Sequence, residues 1–192
     1  MVTMGLFTRR KDAQVLLTER QAAVQVLLAE YDRLKTEQVA RIGVRDNLIY
    51  FMLGSAATVA AGAFAGRNAA LALLLPVASM ALGWTYLAND HMISAIGRHV
   101  RQQLCPRLRD LAGQQLPVFG WERNHADDHR RRSRKRLQFA VDLLTFAGPA
   151  VAATVAYWVI GPVTVALTVV AIAELVAVAV LAVQMAIYAQ LR

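Results

Sequence analysis

One acidic residue, Glu174, stands inside a 27-residue apolar stretch running from Val163 to Ala189. Placing an acid at the centre of a membrane helix costs roughly 2.5–3.5 kcal/mol on insertion scales, so such a residue is first read as functional. It lies eleven residues from the preceding Gly161–Pro162 turn, or about 17 Å deep at helical rise. An antiparallel neighbour at that depth would be Pro149. Pro149 has no N–H to bond the Thr145 carbonyl, and a neutral Glu174 could donate to that freed oxygen. Ser55 and Thr58 are expected near the same level, with Ser79. Two roles fit: a proton- or cation-coupled site, or a structural interhelical hydrogen bond.

Asp142 is a second acid in an apolar setting, six residues beyond Arg136. Its shallower position lets it reach the interface or pair with Arg136 or Gln138, so no carboxylate pair with Glu174 is expected. His125 and His129 stand four residues apart, flanking Asp127 and Asp128. On a helix they would share a face and could hold zinc. No HExxH pattern or third ligand accompanies them, so no metal site is assigned. Cys105 is the only cysteine, which excludes an internal disulfide and reads as a packed thiol. His91 and His99 have no evident partner. No phosphate-binding loop, dinucleotide fingerprint, nucleophile elbow or kinase motif occurs. The chain is therefore read as non-enzymatic, without a cofactor.

The elements that would position these groups are apolar runs. Hydrophobic residues make up 57% of the chain, yet its net charge is +8. Charge and apolarity are segregated, as in a protein that meets both lipid and water. About 20 apolar residues span a bilayer core. Four runs qualify: 48–66, 69–88, 137–160 and 163–189. The expected fold is an all-α polytopic membrane protein of four transmembrane helices in two hairpins, plus cytoplasmic amphipathic helices. Residues 1–47 show no secretory h-region, so the first span would be the insertion signal. Pro76 is expected to kink the second span. Tyr50 and Phe51, Trp84 and Tyr86, and Tyr157 and Trp158 read as interfacial belts.

The first span repeats small residues at Gly54, Thr58, Gly62 and Gly66, every fourth position. Such a strip lets another helix approach closely. It could pack within the chain or join two copies.

Polar segments flank the hairpins. Residues 1–12 read as a frayed lead. From Asp12, Leu17, Val24, Leu27, Tyr31 and Leu34 follow spacings of 7, 3, 4 and 3, close to a coiled-coil seam. In segment 89–136, Ile93, Ile96, Val100, Leu104, Leu108 and Leu111 keep to one helical face, and Pro106 is expected to kink or break the helix. The two faces are natural partners. Gly113, Pro117 and Gly120 mark a loop. The run Arg130, Arg131, Arg132, Arg134, Lys135 and Arg136 then precedes the third span. Beside a membrane it reads as a topology determinant and anionic-lipid contact. Nucleic acid is disfavoured, because no aromatics interleave the charges.

Topology follows from counting. Segment 1–47 carries eight Lys/Arg and segment 89–136 carries eleven, against Arg67 alone in the two short loops. The positive-inside rule places both termini, the tail 190–192 and the middle segment in the cytoplasm of a multi-pass inner (plasma) membrane protein.

The stretches Arg41-Ile-Gly-Val-Arg45-Asp-Asn-Leu-Ile-Tyr50 and Leu82-Gly-Trp84 through Asn89-Asp90 to Ile96-Gly97-Arg98, followed by Trp121-Glu122, resemble segments of bacterial integral membrane proteins without an assigned activity. The resemblance covers about residues 30–123. It implies that Arg45, Asn89, Asp90 and Gly97 matter to the junction between spans and cytoplasmic helices. Physically, Arg45 and Asp90 could pair across the first two spans there. The expected function is a self-assembling scaffold or membrane effector, a homo-oligomer whose cytoplasmic helices mediate assembly. The alternative is a small proton- or cation-coupled transporter or channel using Glu174.

Overall fold

The computed structural model describes residues 2–112, 131–162 and 164–190, with side chains from Gln14 onward except at 131, 132, 134–136 and 190. The fold is all-helical, and four of its helices are long and apolar enough to cross a membrane. In chain order the described elements are α1 (Val2–Ala65), a 3₁₀ segment (Ala69–Leu73) leading into α2 (Leu74–His99), a π turn (Val100–Leu104), α3 (Cys105–Ala112), α4 (Arg131–Ile160) and α5 (Val165–Gln190). Helix α1 starts at Val2, so the expected frayed lead is helical instead.

The chain divides into two compact units, Met1–Val39 with Ala95–Asp128, and Ala40–Ser94 with His129–Arg192. In the first unit, Ile96, Val100 and Cys105 are buried against Tyr31 and Leu34. The apolar faces of the two polar segments thus meet within one chain. Arg20 adds a hydrogen bond to the Asp110 carbonyl at 3.1 Å. His99, expected to lack a partner, pairs with Glu30 at 3.0 Å.

The apolar spacing explains the π turn. Ile96, Val100, Leu104 and Leu108 recur every four residues, and each such step drifts by roughly 40° around an α-helix of 3.6 residues per turn. A wider turn cancels part of that drift. Here the Cys105 N–H reaches back five residues to the Val100 carbonyl. Val100, Leu104 and Leu108 consequently all stay buried. Pro106 follows directly in the same continuous helical stretch, and its missing N–H leaves a carbonyl of the π turn without that donor.

The second unit has its core around Leu48, Met52, Leu75, Tyr86, Leu87, Phe146, Leu181 and Met185. In a bilayer, whose lipid tails are as apolar as these side chains, close packing rather than water exclusion would hold them. Gly83 marks the tightest approach. A Cβ there would come within 2.5 Å of Leu181 Cδ2 and 3.4 Å of Phe146 Cβ.

Pro76, expected to kink the second span, lies in the first turn of α2, where the 3₁₀ segment gives way to α-helix. Tyr157 is not a belt residue. It is fully buried, and its hydroxyl donates to the Pro162 carbonyl at 3.0 Å, tying down the turn after α4. Thr164 then caps α5, accepting from the Leu167 N–H at 3.4 Å.

Helix α1 ends in a Schellman motif. The Asn68 N–H bonds the Ala63 carbonyl at 3.1 Å, and the Arg67 N–H bonds Phe64 at 3.3 Å. The left-handed position is Arg67, with φ 47°. Glycine usually stands there, and an L-residue costs roughly 1–2 kcal/mol in that region. Asn68 next caps the 3₁₀ segment through the Ala70 N–H at 3.1 Å.

Candidate functional site

The densest polar cluster of the second unit joins α1, α2, α4 and α5 around a cavity of about 30 Å³, the size of a water molecule, with Tyr86, Asp90, Gln138, Asp142 and Tyr188 in its lining. Tyr86 and Asp90 stand four apart on α2, so one helical face presents both. The Tyr86 hydroxyl donates to Asp142 Oδ1 at 2.6 Å. Asp142 therefore bonds a neighbouring helix, where the sequence suggested Arg136, Gln138 or the interface. Tyr86 in turn is buried rather than interfacial, while Trp84 is half-exposed. The reason is geometric: Tyr86 packs its ring against Phe146 on α4 at 4.8 Å, and that contact aims its hydroxyl one turn along α4, at Asp142.

Asp90 is almost fully buried. Arg45 reaches its Oδ1 at 3.5 Å and bonds Asp46 Oδ1 at 3.0 Å. A turn earlier, Arg41 donates to Asn89 Oδ1 at 3.4 Å, and Asn89 donates to the Thr85 carbonyl at 3.0 Å. The Arg and Asn/Asp pairs thus clamp α1 to α2. His91 meets Tyr188 edge-on at 5.2 Å. Gly97 belongs to the first unit, where a Cβ would find ordinary contacts with Arg101 and Gln38 at 3.5 and 3.7 Å.

Glu174 is placed differently from its expected setting. Tyr157 shares a buried cluster with Ala171, and Ala147 and Ala150 share one with Val178. Those pairs put Glu174 level with Ala153 and Thr154, one turn beyond Pro149. Among the described residues no hydrogen bond links it to Thr145, Ser55 or Thr58, and its Oε2 is buried without a partner. One residue beyond the Thr145 carbonyl that Pro149 leaves free, the Phe146 carbonyl takes a hydrogen bond from Ser79, fully buried on α2. Thr154, also fully buried, donates to Ala150 O at 2.9 Å. Sequence reasoning did not single out Tyr86 or Ser79 as bonding groups. A hydroxyl opposite a mid-span proline and a tyrosine one turn before a buried aspartate were the available signals.

The strip on α1 is open. Gly54, Thr58, Gly62 and Gly66 are all exposed, and a Cβ on Gly54 or Gly62 would meet nothing within 4 Å. The basic run is helical from Arg131. Arg130, and the side chains of Arg131, Arg132, Arg134, Lys135 and Arg136, lie outside the described residues, as do His125–His129 and the loop glycines. Among the described residues no group of three or more metal-ligating side chains gathers.

Comparison with protein-family models, curated proteins and solved structures finds no match.

Proposed function

We propose that this chain is a non-enzymatic integral membrane protein that self-assembles in a bacterial inner membrane, with both termini and residues 89–136 in the cytoplasm and two transmembrane hairpins as its anchor. The observation that carries the reading is the open Gly54–Thr58–Gly62–Gly66 strip. Among the described residues nothing would meet a Cβ on Gly54 or Gly62 within 4 Å, and small residues at this spacing suit a second helix at close range. The cytoplasmic seam contributes less than its sequence suggested, since Tyr31 and Leu34 are used internally. Of the seam only Leu17 is exposed, and Leu16, Val26, Leu28 and Val39 on the same helix are exposed beside it. The basic run 130–136 would rest on anionic lipid headgroups.

The test is particle mass in nanodiscs by light scattering, for wild type, Gly62→Leu and Leu27→Asp. A defined oligomer that Gly62→Leu dissociates supports assembly through the strip. Dissociation by Leu27→Asp alone would move the contact to the cytoplasmic helices. A wild-type monomer would end the assembly reading.

A second reading has its own observation. Asp90, Asp142 and Tyr86 line one cavity, and Glu174 Oε2 lacks a partner. Carboxyl and hydroxyl groups so placed can relay a proton or hold a cation, the chemistry of a small coupled transporter. Proton uptake into proteoliposomes that Glu174→Gln leaves unchanged would dismiss it.

A further inference from the structure

We infer that the groove between α1, the 3₁₀ segment and α4 holds one glycerophospholipid, with an acyl chain between the helices and its phosphate on Arg67. The groove has a volume of about 660 Å³, within the range of ligand pockets. Apart from Arg67 its walls are apolar: alanines such as Ala60 on α1, Ala72 on the 3₁₀ segment and Ala152 on α4, with the larger Phe64, Leu75 and Ile160 among them. Arg67 is the one charged residue in the lining. An apolar slot that carries a single cation matches an amphiphile with an anionic head.

Three further observations favour a lipid over a second copy of the chain. First, the Arg67 side chain makes no hydrogen bond or ion pair among the described residues. Second, a copy would bring no counter-charge to that level. No carboxylate occurs between Gly54 and Leu82, or between Leu143 and Ala173. A helix docked in the groove would bury a cation without compensation, which is costly. Third, Arg67 occupies the left-handed Schellman position that glycine would fill without strain. An arginine kept there at a conformational cost points to its side chain. Guanidinium matches phosphate with two parallel hydrogen bonds.

The experiment is native mass spectrometry of the full chain released from micelles, titrated with palmitoyl-oleoyl phosphatidylglycerol. The variants are Arg67→Gly, Arg67→Lys and the groove-filling pair Ala60→Phe and Ala152→Phe. Both alanines are exposed, so the rings meet the groove rather than the core. Wild type should retain one lipid more tightly than any later ones. Arg67→Gly should weaken that first lipid about tenfold or more, the effect of one charged contact, while its melting temperature stays level or rises. Arg67→Lys should fall between, and the two-phenylalanine variant should lose the first lipid. Unchanged first-lipid affinity in both Arg67→Gly and the filled variant would overturn the proposal. So would a protein dimer that the phenylalanines abolish, since the occupant would then be a second copy. Gly62→Leu lies outside the groove lining and separates this outcome from failure of the assembly reading.

Discussion

Replacing Tyr86 by phenylalanine removes one oxygen from the polar cluster and little else. The ring would keep its place, because its packing against Phe146 at 4.8 Å involves carbon alone. What disappears is the hydroxyl bonded to Asp142 Oδ1 at 2.6 Å, at the short end of O–H···O distances. Hydrogen bonds in soluble proteins contribute about 0.5–1.5 kcal/mol, and about 1.5–3 where one partner is charged. Interhelical bonds in membranes average about 0.6 kcal/mol, with a maximum near 1.7. Asp142 is only half-buried, so water or Gln138 can partly replace the lost donor. The expected loss is therefore about 1–1.5 kcal/mol, near the top of the membrane range. The assay is reversible unfolding in mixed micelles by titrating a denaturing detergent, followed by tryptophan fluorescence. Wild type, Tyr86→Phe, Asp142→Leu and the double variant form a cycle. If the bond holds α2 to α4, the double variant loses less than the sum of the singles, by about 1 kcal/mol. Additive losses would mean that the contact contributes nothing, and the reading of Asp142 as an interhelical anchor would fall.

Three other outcomes can be checked in the same titration. Gly83→Val places carbon against Leu181 and Phe146, so it should destabilise by about 1–3 kcal/mol through overpacking, while Gly54→Val should leave monomer stability within about 0.5 kcal/mol as a change at an unpacked surface. Ser79→Ala removes the donor to the Phe146 carbonyl and should cost about 1 kcal/mol, with Ser79→Thr, which keeps a hydroxyl, tested beside it. Arg45→Ala strips a partner from the buried Asp90 and should cost about 1–3 kcal/mol, less than a fully buried pair because Arg45 is partly exposed; Asp90→Asn in that background should recover part of the loss.

The four spans were legible because lipid leaves a single-chain segment almost no choice but helix. Their register was less so. Counting eleven residues down from Gly161–Pro162 put Glu174 beside Pro149. Thr164, however, caps α5 and delays its start by two residues to Val165, which supplies about half of the one-turn shift in level. Tyr86 and Tyr157 misled for a related reason. A tyrosine near a span end fits a belt by composition, but the destination of its hydroxyl depends on a neighbour that only the tertiary structure supplies. Arg45 and Asp90 could be matched because both sit at charged boundaries of adjacent spans. The strip at Gly54–Gly66 could not be resolved, since the same spacing serves a partner in the chain or outside it.

The π turn at Val100–Leu104 gives residue count a meaning beyond residue identity. A π turn holds about one residue more than the α turn it replaces. Removing one residue there would let the turn close as ordinary α-helix, and the two changes nearly cancel, so Leu108 would keep to the buried face. The same deletion in the α-helix before the turn would instead swing everything after it by roughly 100°. Single-residue length changes are therefore best absorbed within Val-Arg-Gln-Gln-Leu, where the buried Val100 and Leu104 are the positions sensitive to substitution.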